Sequence, residues 1–510
     1  MSDDPKTRKA LEDLEARLRR GSDAERASAV ARRRSKGYRT ARENLTDLID
    51  PATFVEYGAL AVAAQRGRRD YVELQHQTPA DGVITGLASI NGAHVGEEAA
   101  RAAVVVYDYT VLAGTQGFFH HAKIDRILEL ADRQRLPVVM YTEGGGGRPG
   151  DTDVTTQIAG LNVETFSRWA ALNTGMPRIA VNNGYCFAGN AALFGAADIR
   201  IATRSSNIGM AGPAMIEGGG LGTFEPTEIG PANDQWSNGV IDVLVDDEAD
   251  ATAMAKRMLW YFQGRVNPGE VAAQEVLREV LPDDRRWSYP VRQIIETIFD
   301  QGSFSELRRV FGRSVVTGFA RLQGQAVGVL ASDCQQLGGA VDSEASDKAS
   351  RFFELCDRCG LPVVSLVDTP GFMVGPASEQ VAAVHRMAQL FERSSRLRTP
   401  ILAVFLRKAY GLGAMALVGG SFAVPDFAVA WPTGEFGGMG LEGAVRLGFR
   451  KELEQQADPT EREALFDKLV GELYEKGKAT EAAAHLEIDA VIDPAQTRDQ
   501  LIAALYHLDS

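Results

Sequence analysis

The chain has 510 residues, 45% of them hydrophobic and 24% charged, with a formal net charge of -14. That length exceeds one compact core and fits two domains, and that charge argues against a nucleic-acid partner held by phosphate neutralisation. Four cysteines make no disulfide framework, and no apolar run approaches the ~20 residues of a membrane span. Met1-Ser2-Asp3-Asp4 opens no secretory apolar core, so the expected location is cytoplasmic.

Residues 1–50 read as a charged helical arm, with Leu11, Leu14 and Leu18 at helical spacing. The run Arg32-Arg33-Arg34 reads as a basic patch for an anionic ligand or, with more weight, as a solvated helical face packing on a neighbour. Downstream, short apolar strands alternate with helices: strand 104–107, helix 122–134, strand 138–141, helix 162–172, strand 178–182, a glycine turn, then strand 199–202. Such alternation predicts α/β architecture with parallel sheets and crossover helices. Phe118-Phe119-His120-His121 places two histidines side by side, but adjacent residues do not face one another, and no metal site is expected. Glu217 to Gly222 is glycine-rich and reads either as a cover over a cleft or as a plain surface loop. Asn267-Pro268-Gly269 and Pro282-Asp283-Asp284 punctuate the middle, placing a domain boundary between 267 and 287. Cys356-x-x-Cys359 lies on a helix-patterned segment without a second pair, so it reads as ordinary cysteines rather than a zinc site. A charged helical stretch over 459–487 closes the second half.

The chain also repeats itself. ELADRQRLP at 129–137 returns as ELCDRCGLP at 354–362, and VITGLASING at 83–92 returns as VVTGFARLQG at 315–324. Cys186 to Leu193 likewise faces Tyr410 to Leu417. The shift stays near ~225 residues, far longer than a solenoid unit of ~20–50 residues, so this is a duplicated domain. Each copy carries a strand that runs through small residues into an apolar helix, at 182–193 and at 407–417. Small residues let the backbone approach a ligand, and the helix start presents N–H groups with partial positive charge. Those are the parts of an oxyanion hole.

Asn182 to Leu193, followed by Asp198-Ile199-Arg200-Ile201-Ala202, resembles the turn of the crotonase superfamily. With the duplication, Asp368-Thr369-Pro370-Gly371-Phe372, Arg407-Lys408-Ala409-Tyr410-Gly411 and Ala430-Trp431-Pro432-Thr433-Gly434-Glu435 resemble the carboxyltransferase (beta) subunit of biotin-dependent acyl-CoA carboxylases. Thr40 to Leu45, Leu48 to Pro51 and Asp108 to Gly114 resemble the N-terminal part of the same family.

The resemblance implies an α/β fold of two tandem crotonase-like (ββα-superhelix) domains: a helical arm at 1–50, an acyl-CoA domain at 51–275 and a biotin domain at 276–510. It implies a hexamer, a trimer of dimers, with each active site between the N-terminal domain of one subunit and the C-terminal domain of its partner. Carried over, the N–H groups around Ala188 and Gly189 would hold the thioester enolate. Those around Leu412 and Gly413 would hold the biotin enolate as carboxybiotin releases CO2. The biotin anion would take the α-proton and the acyl-CoA enolate would attack the CO2, so no side-chain base is required. Gly114, Thr115, Gly145 and Gly146 would line the coenzyme A thioester, and Tyr410, Gly411, Ala414 and Met415 the biotin. Arg148 would bind an anion or order its own loop.

No segment resembles a biotin-attachment sequence or an ATP-grasp carboxylase. Biotin is therefore expected on a separate protein, with biotin carboxylase and biotin carboxyl carrier protein chains as partners. An acyl-CoA decarboxylase running the same half-reaction backwards, and a catalytically silent scaffold of a carboxylase complex, are the alternatives. The glycine run Gly144-Gly145-Gly146-Gly147, Ala188 and Leu412 depart from the family pattern, and the acyl group is left open.

Overall fold

The apolar runs that alternate with helical periodicity become the inner strands of two sheets in a computed structural model that describes residues 5–154 and 160–508. The chain divides into two units, Met1–Gly264 and Arg265–Ser510. In the first, β1 (Val55–Tyr57), β2 (Val83–Ser89), β3 (Arg101–Tyr107), β4 (Val138–Tyr141), β5 (Arg178–Asn182), β6 (Tyr185–Phe187), β7 (Ile199–Thr203), β8 (Asn207–Gly209) and β9 (Val243–Val245) follow in sequence. The main sheet has the order β1-β2-β3-β4-β5-β7-β9, and β6 pairs with β8 beside it. The first three strands are antiparallel and the rest parallel. Every residue of β4, β5 and β7 is buried, as expected of parallel strands covered on both faces. Helix Phe118–Gln134 lays Ile124, Ile127, Leu128 and Ala131 on this sheet.

The second unit repeats the plan with β10 (Ser305–Leu307), β11 (Val315–Leu322), β12 (Gln325–Ser332), β13 (Val363–Thr369), β14 (Ile401–Tyr410), β15 (Phe427–Ala430), β16 (Glu435–Gly437) and β17 (Ala490–Val491). Its order is β10-β11-β12-β13-β14-β15-β17, with β16 on the far end of β14. Cys356 is buried on helix Ser343–Cys359 and stays a free thiol. No helix among the described residues is long and apolar enough to cross a membrane.

Strand bridges fix how the copies correspond. Ala103 pairs with Val138 as Gly328 pairs with Val363. Gln116 bridges Gly147 as Val341 bridges Phe372, and Gly144 bridges Cys186 as Thr369 pairs with Ala409. The Glu143-to-Gly147 loop therefore occupies the place of Asp368 to Phe372. The single strand β14 does the work of β5 and β6, which Asn183-Gly184 interrupts.

The duplication also reaches further upstream than the repeated strings. Helix Ala41–Leu48, which the sequence places in the arm, matches helix Val291–Ile298. Arg42 holds Glu56 on β1 as Arg292 holds Glu306 on β10. Asp50 and Asp300 each accept a 2.8 Å bond from the glycine N–H, Gly92 or Gly324, that follows the second strand. Residues 265–275, grouped by their punctuation with the first domain, bond into the second unit: Val266 N–H donates to Gly324 O at 3.1 Å and Gly269 N–H to Asp300 Oδ2 at 3.2 Å.

Candidate active site

In the first unit the chain leaves β6 through Ala188, at φ 52° and ψ -119°, into helix Gly189–Gly195. That corner suits glycine in ordinary turns, so the surrounding contacts must hold the alanine there. Its own N–H already donates to Gly209 O at 3.0 Å. A Cβ on Gly189 would stand 2.2 Å from Gln116 Oε1 and 3.0 Å from Phe166 Cζ, so this position has room for no side chain. The Glu143-to-Gly147 loop lies against the corner: the Cβ position of Gly146 is 2.8 Å from Ala188 Cβ and 3.7 Å from Gly189 N.

Three loops meet here. Gly145 N–H donates to Ala113 O at 3.1 Å and Gln116 N–H to Gly146 O at 2.8 Å. Buried Asn190, on the helix, accepts from Gly146 N–H at 2.9 Å and donates to Thr142 O at 3.0 Å. Leu112, Ala113 and Gly114 take three successive positive φ angles, and a Cβ on Gly114 would lie 2.4 Å from Glu143 O. Gly114, Thr115, Gly145, Gly146, Ala188 and Gly189 are thus brought together.

Arg148 is spent on the protein's own groups. Its side chain is 6% exposed, with Nε 2.8 Å from Asp151 Oδ1 and Nη2 bonded to Asp81. The guanidinium orders its own loop, and its Nη1 ties that loop to the edge of the junction by donating to Thr115 O at 3.3 Å. Burial lifts Asp81 to about 6 against the pull of Arg148. The neighbouring histidines are engaged too: His120 Nδ1 lies 3.0 Å from Asp81 O and His121 Nδ1 3.0 Å from Thr165 Oγ1.

In the second unit β14 ends at buried Tyr410 and turns at Gly411 (φ 58°) into helix Gly411–Ala416. A Cβ on Gly413 would stand 2.5 Å from the carbonyl carbon of Gly371, so this helix packs directly on the Asp368-to-Phe372 loop. Leu412 is 60% exposed and Ala414 buried, with Met415 between them in exposure. Arg285 approaches Glu435 Oε2 at 3.4 Å, while burial still raises the Glu435 carboxyl. The repeated strings set Ala188 against Leu412 and Gly189 against Gly413. The bridges place Ala188 with Gly411, Gly189 with Leu412 and Asn190 with Gly413, because Phe187 pairs with Gly209 as Tyr410 pairs with Gly437. The shift drops by two residues between the Glu143 loop and this turn, which a string comparison blurs.

Below each glycine loop sits a buried carboxylate that the sequence reading did not single out. Asp368 takes Arg407 Nη2 at 2.8 Å and Lys408 N–H at 3.0 Å. Its counterpart Glu143 takes Arg33, Nη1 to Oε1 at 2.8 Å with a second bond from Nη2 to Oε2. Burial pushes the Glu143 carboxyl up, against the pull of Arg33. Arg33 is therefore neither part of a basic ligand patch nor on a solvated face, because its partner carboxylate lies inside the same unit.

Comparison with known proteins agrees with this geometry. The model of the carboxyl transferase domain family matches residues 32–509. The biotin-dependent long chain acyl-coenzyme A carboxylase beta4 subunit of Mycobacterium tuberculosis is 31% identical over 506 residues, 96% of this chain and 93% of that protein. A solved single-chain, multi-domain long-chain acyl-CoA carboxylase superposes with a TM-score of 0.90 at 52% identity, covering 97% of this chain and 48% of its own. The chain thus spans about half the length of that enzyme. Transcarboxylase 12S, solved as a hexamer with methylmalonyl-coenzyme A bound, superposes with a TM-score of 0.85 at 29% identity over 99% of this chain and 95% of its own. Two crotonase-like units, each with a glycine turn set on a glycine-bearing loop, and these matches along nearly the whole length show that the chain belongs to the carboxyl transferase family, the carboxyltransferase component of biotin-dependent acyl-CoA carboxylases.

Proposed function

We propose that the chain transfers a carboxyl group from biotin, borne on a separate carrier protein, to the α-carbon of a long-chain acyl-CoA. The observation that carries the acyl assignment is the 52% identity to the single-chain long-chain enzyme, against 29% to transcarboxylase 12S. The direction is carboxylation, the sense of that enzyme's name.

The first unit takes the thioester. Gly189 N–H, at the helix start, donates to the thioester oxygen and holds the charge that develops as the α-proton leaves. Ala188 shapes the corner, since its N–H is engaged by Gly209 O. Gly114, Thr115, Gly145 and Gly146 line the coenzyme A side; Arg148 keeps that loop in place. In the second unit the equivalent donor is Leu412 N–H, with Gly413 setting the distance to the Asp368 loop. Biotin, when bound, supplies the carboxyl group. Tyr410, Gly411, Ala414 and Met415 form its surroundings: Cβ positions at Gly411 and Gly413 would meet Gly438 O at 2.9 Å and the carbonyl carbon of Gly371 at 2.5 Å, so the two glycines seat the helix start against its loops, where its N–H groups fit the oxygen of a ureido ring. Main-chain donors do this work without a side-chain base. The assembly is a hexamer in the cytoplasm that depends on biotin carboxylase and carrier chains.

The test is the reverse half-reaction. Purified protein is incubated with free biotin and α-carboxylated acyl-CoAs of two-, three- and sixteen-carbon acyl chains, following loss of each ester. Biotin-dependent decarboxylation is expected, with the longest ester preferred by ~10-fold or more, the scale a few buried methylenes supply. Preference for the three-carbon ester would overturn the chain-length assignment. Absence of turnover with every ester, both with free biotin and with a biotinylated carrier, would overturn the transferase reading.

A further inference from the structure

We propose that residues 23–38 of the N-terminal arm clamp the first unit's turn from behind, with Arg33 and Arg26 as positioning residues; that the clamped turn is the acyl-CoA half-site rests on the function proposed above.

Two carboxylates are buried where β3 and β4 run into the site loops, Asp108 at 9% exposure and Glu143 at 7%. A buried carboxylate needs a hydrogen-bonded cation. The second unit meets the same need from its own sheet and helix. Arg407 on β14 holds Asp368, and Arg292 holds both Glu306 and, at 2.7 Å, Asp333. Asp333 is the counterpart of Asp108: each carboxylate accepts from the N–H two residues on, Gln335 or Thr110.

The first unit lacks both internal solutions. The bridge register puts Gly184 where the second unit has Arg407, and even a Cβ there would stand 2.4 Å from Glu143 Oε1. Arg42, the counterpart of Arg292, gives Nη1 and Nη2 to Glu56 and Nε to Gly21 O, and none of these bonds goes to Asp108. The arm brings the two missing guanidinium groups. Arg33 binds Glu143 through both oxygens, is held by its Nε on Arg39 O at 2.9 Å, and lies 4.5 Å from the Tyr38 ring centre. Arg26 reaches Asp108 Oδ2 and Thr110 Oγ1, each at 2.6 Å. A small cavity of about 10 Å³ at this seam is lined by Arg33, Arg39 and Asn44 on one side and by Tyr107, Asp108 and Glu143 on the other.

Neither arginine touches the turn itself; each acts on the root of a loop that does. Glu143 is followed by Gly144, which exchanges bonds with Tyr185 O and Phe187 N–H at 2.8 and 2.9 Å. The backbone carbonyl of Asp108 accepts from Val111 N–H at 2.9 Å, just before the three positive-φ residues that support Gly145. Such a backbone run persists only where its surroundings over-determine it. Removing a guanidinium frees the loop while leaving the two-layer core intact.

The test uses the full chain. Arg33→Met and Arg26→Met are compared with a rebuilt variant, Arg33→Met/Glu143→Asp/Gly184→Arg, which returns the guanidinium to the strand with the shorter acid the second unit uses. Amide exchange of 110–116 and 143–148 is read alongside KM for the carboxyacyl-CoA and for free biotin. Arg33→Met should speed exchange at Gly144 and Gly146 by ~10-fold or more, the signature of local opening. It should raise KM for the CoA ester and leave KM for biotin unchanged. The rebuilt variant should recover protection at Gly144. Unchanged exchange and an unchanged CoA-ester KM in folded Arg33→Met would overturn the proposal, as would acceleration spread evenly over both units. Should Arg33→Met not accumulate, Arg33→Lys, which keeps the charge and loses the two-pronged bond, is read in the same way. Loss of biotin-dependent turnover in the unaltered protein would remove the functional reading, while the exchange measurement would still judge the clamp.

Discussion

At the scale of single residues, His121 shows how burial is felt through pH. Burial, with Arg148 adding to it, lowers this imidazole from 6.5 to about 4. The folded state therefore binds fewer protons than the unfolded chain between those values. Stability is fully present above pH 6.5 and is lost as pH falls toward 4. His121→Asn, which keeps a partner for Thr165 Oγ1, should remove on the order of 1–2 kcal/mol of that acid sensitivity; denaturant melts at pH 7 and 4.5 measure it. Equal pH slopes for the two proteins would show that His121 titrates as freely when folded as when unfolded. Residue roles were the least legible level of the sequence. Three consecutive arginines say nothing of which one turns inward, because Arg33's partner is 110 positions away. Arg148 stands in a glycine run that suggests a ligand, yet Asp81, Asp151 and Thr115 O take its donors. Ala188 was visible as a turn residue, but not that its N–H is already donated to Gly209.

At the scale of elements, periodicity located the strands and helices because burial on both sheet faces imposes continuous apolar runs. It could not set the register between copies, where crossovers of unequal length shift the count. One consequence is Asn190, which occupies the place of Gly413. In the second unit the helix rests straight on its loop; in the first, a side-chain amide stands between helix and loop and ties both. Asn190→Ala should leave the Gly146 N–H and the Thr142 carbonyl unpaired, at ~1–3 kcal/mol for each buried group. We expect a lower melting temperature together with a loss of turnover larger than the unfolded fraction explains. Asn190→Asp, which retains the acceptor for Gly146, should fall between the two. Full activity in folded Asn190→Ala would show that the tie does not position the loop.

At the scale of the whole molecule, the duplication was legible from three pairs of strings, and its true upstream limit was not. Between 41 and 60 it is marked only by Arg42, Asp50, Phe54 and Glu56, which return as Arg292, Asp300, Phe304 and Glu306, too sparse a pattern to stand out before the two arginines are seen on the two glutamates. The proposed hexamer predicts a mass of about 330 kDa by light scattering, six chains of 55.1 kDa. A monomer that turns over carboxyacyl-CoA with biotin would rule it out. The two copies, alike in sheet order, neutralise the same buried acid by different routes, one from a strand and one from a segment more than a hundred residues upstream. That difference constrains their history. Stripping the cation from a buried ion pair costs ~3–5 kcal/mol, a large share of a domain's net stability. In a lineage descending from a strand arginine, Gly184 could arise only after the arm had supplied its own guanidinium, which would make the arm the older acquisition and the glycine the later licence it granted.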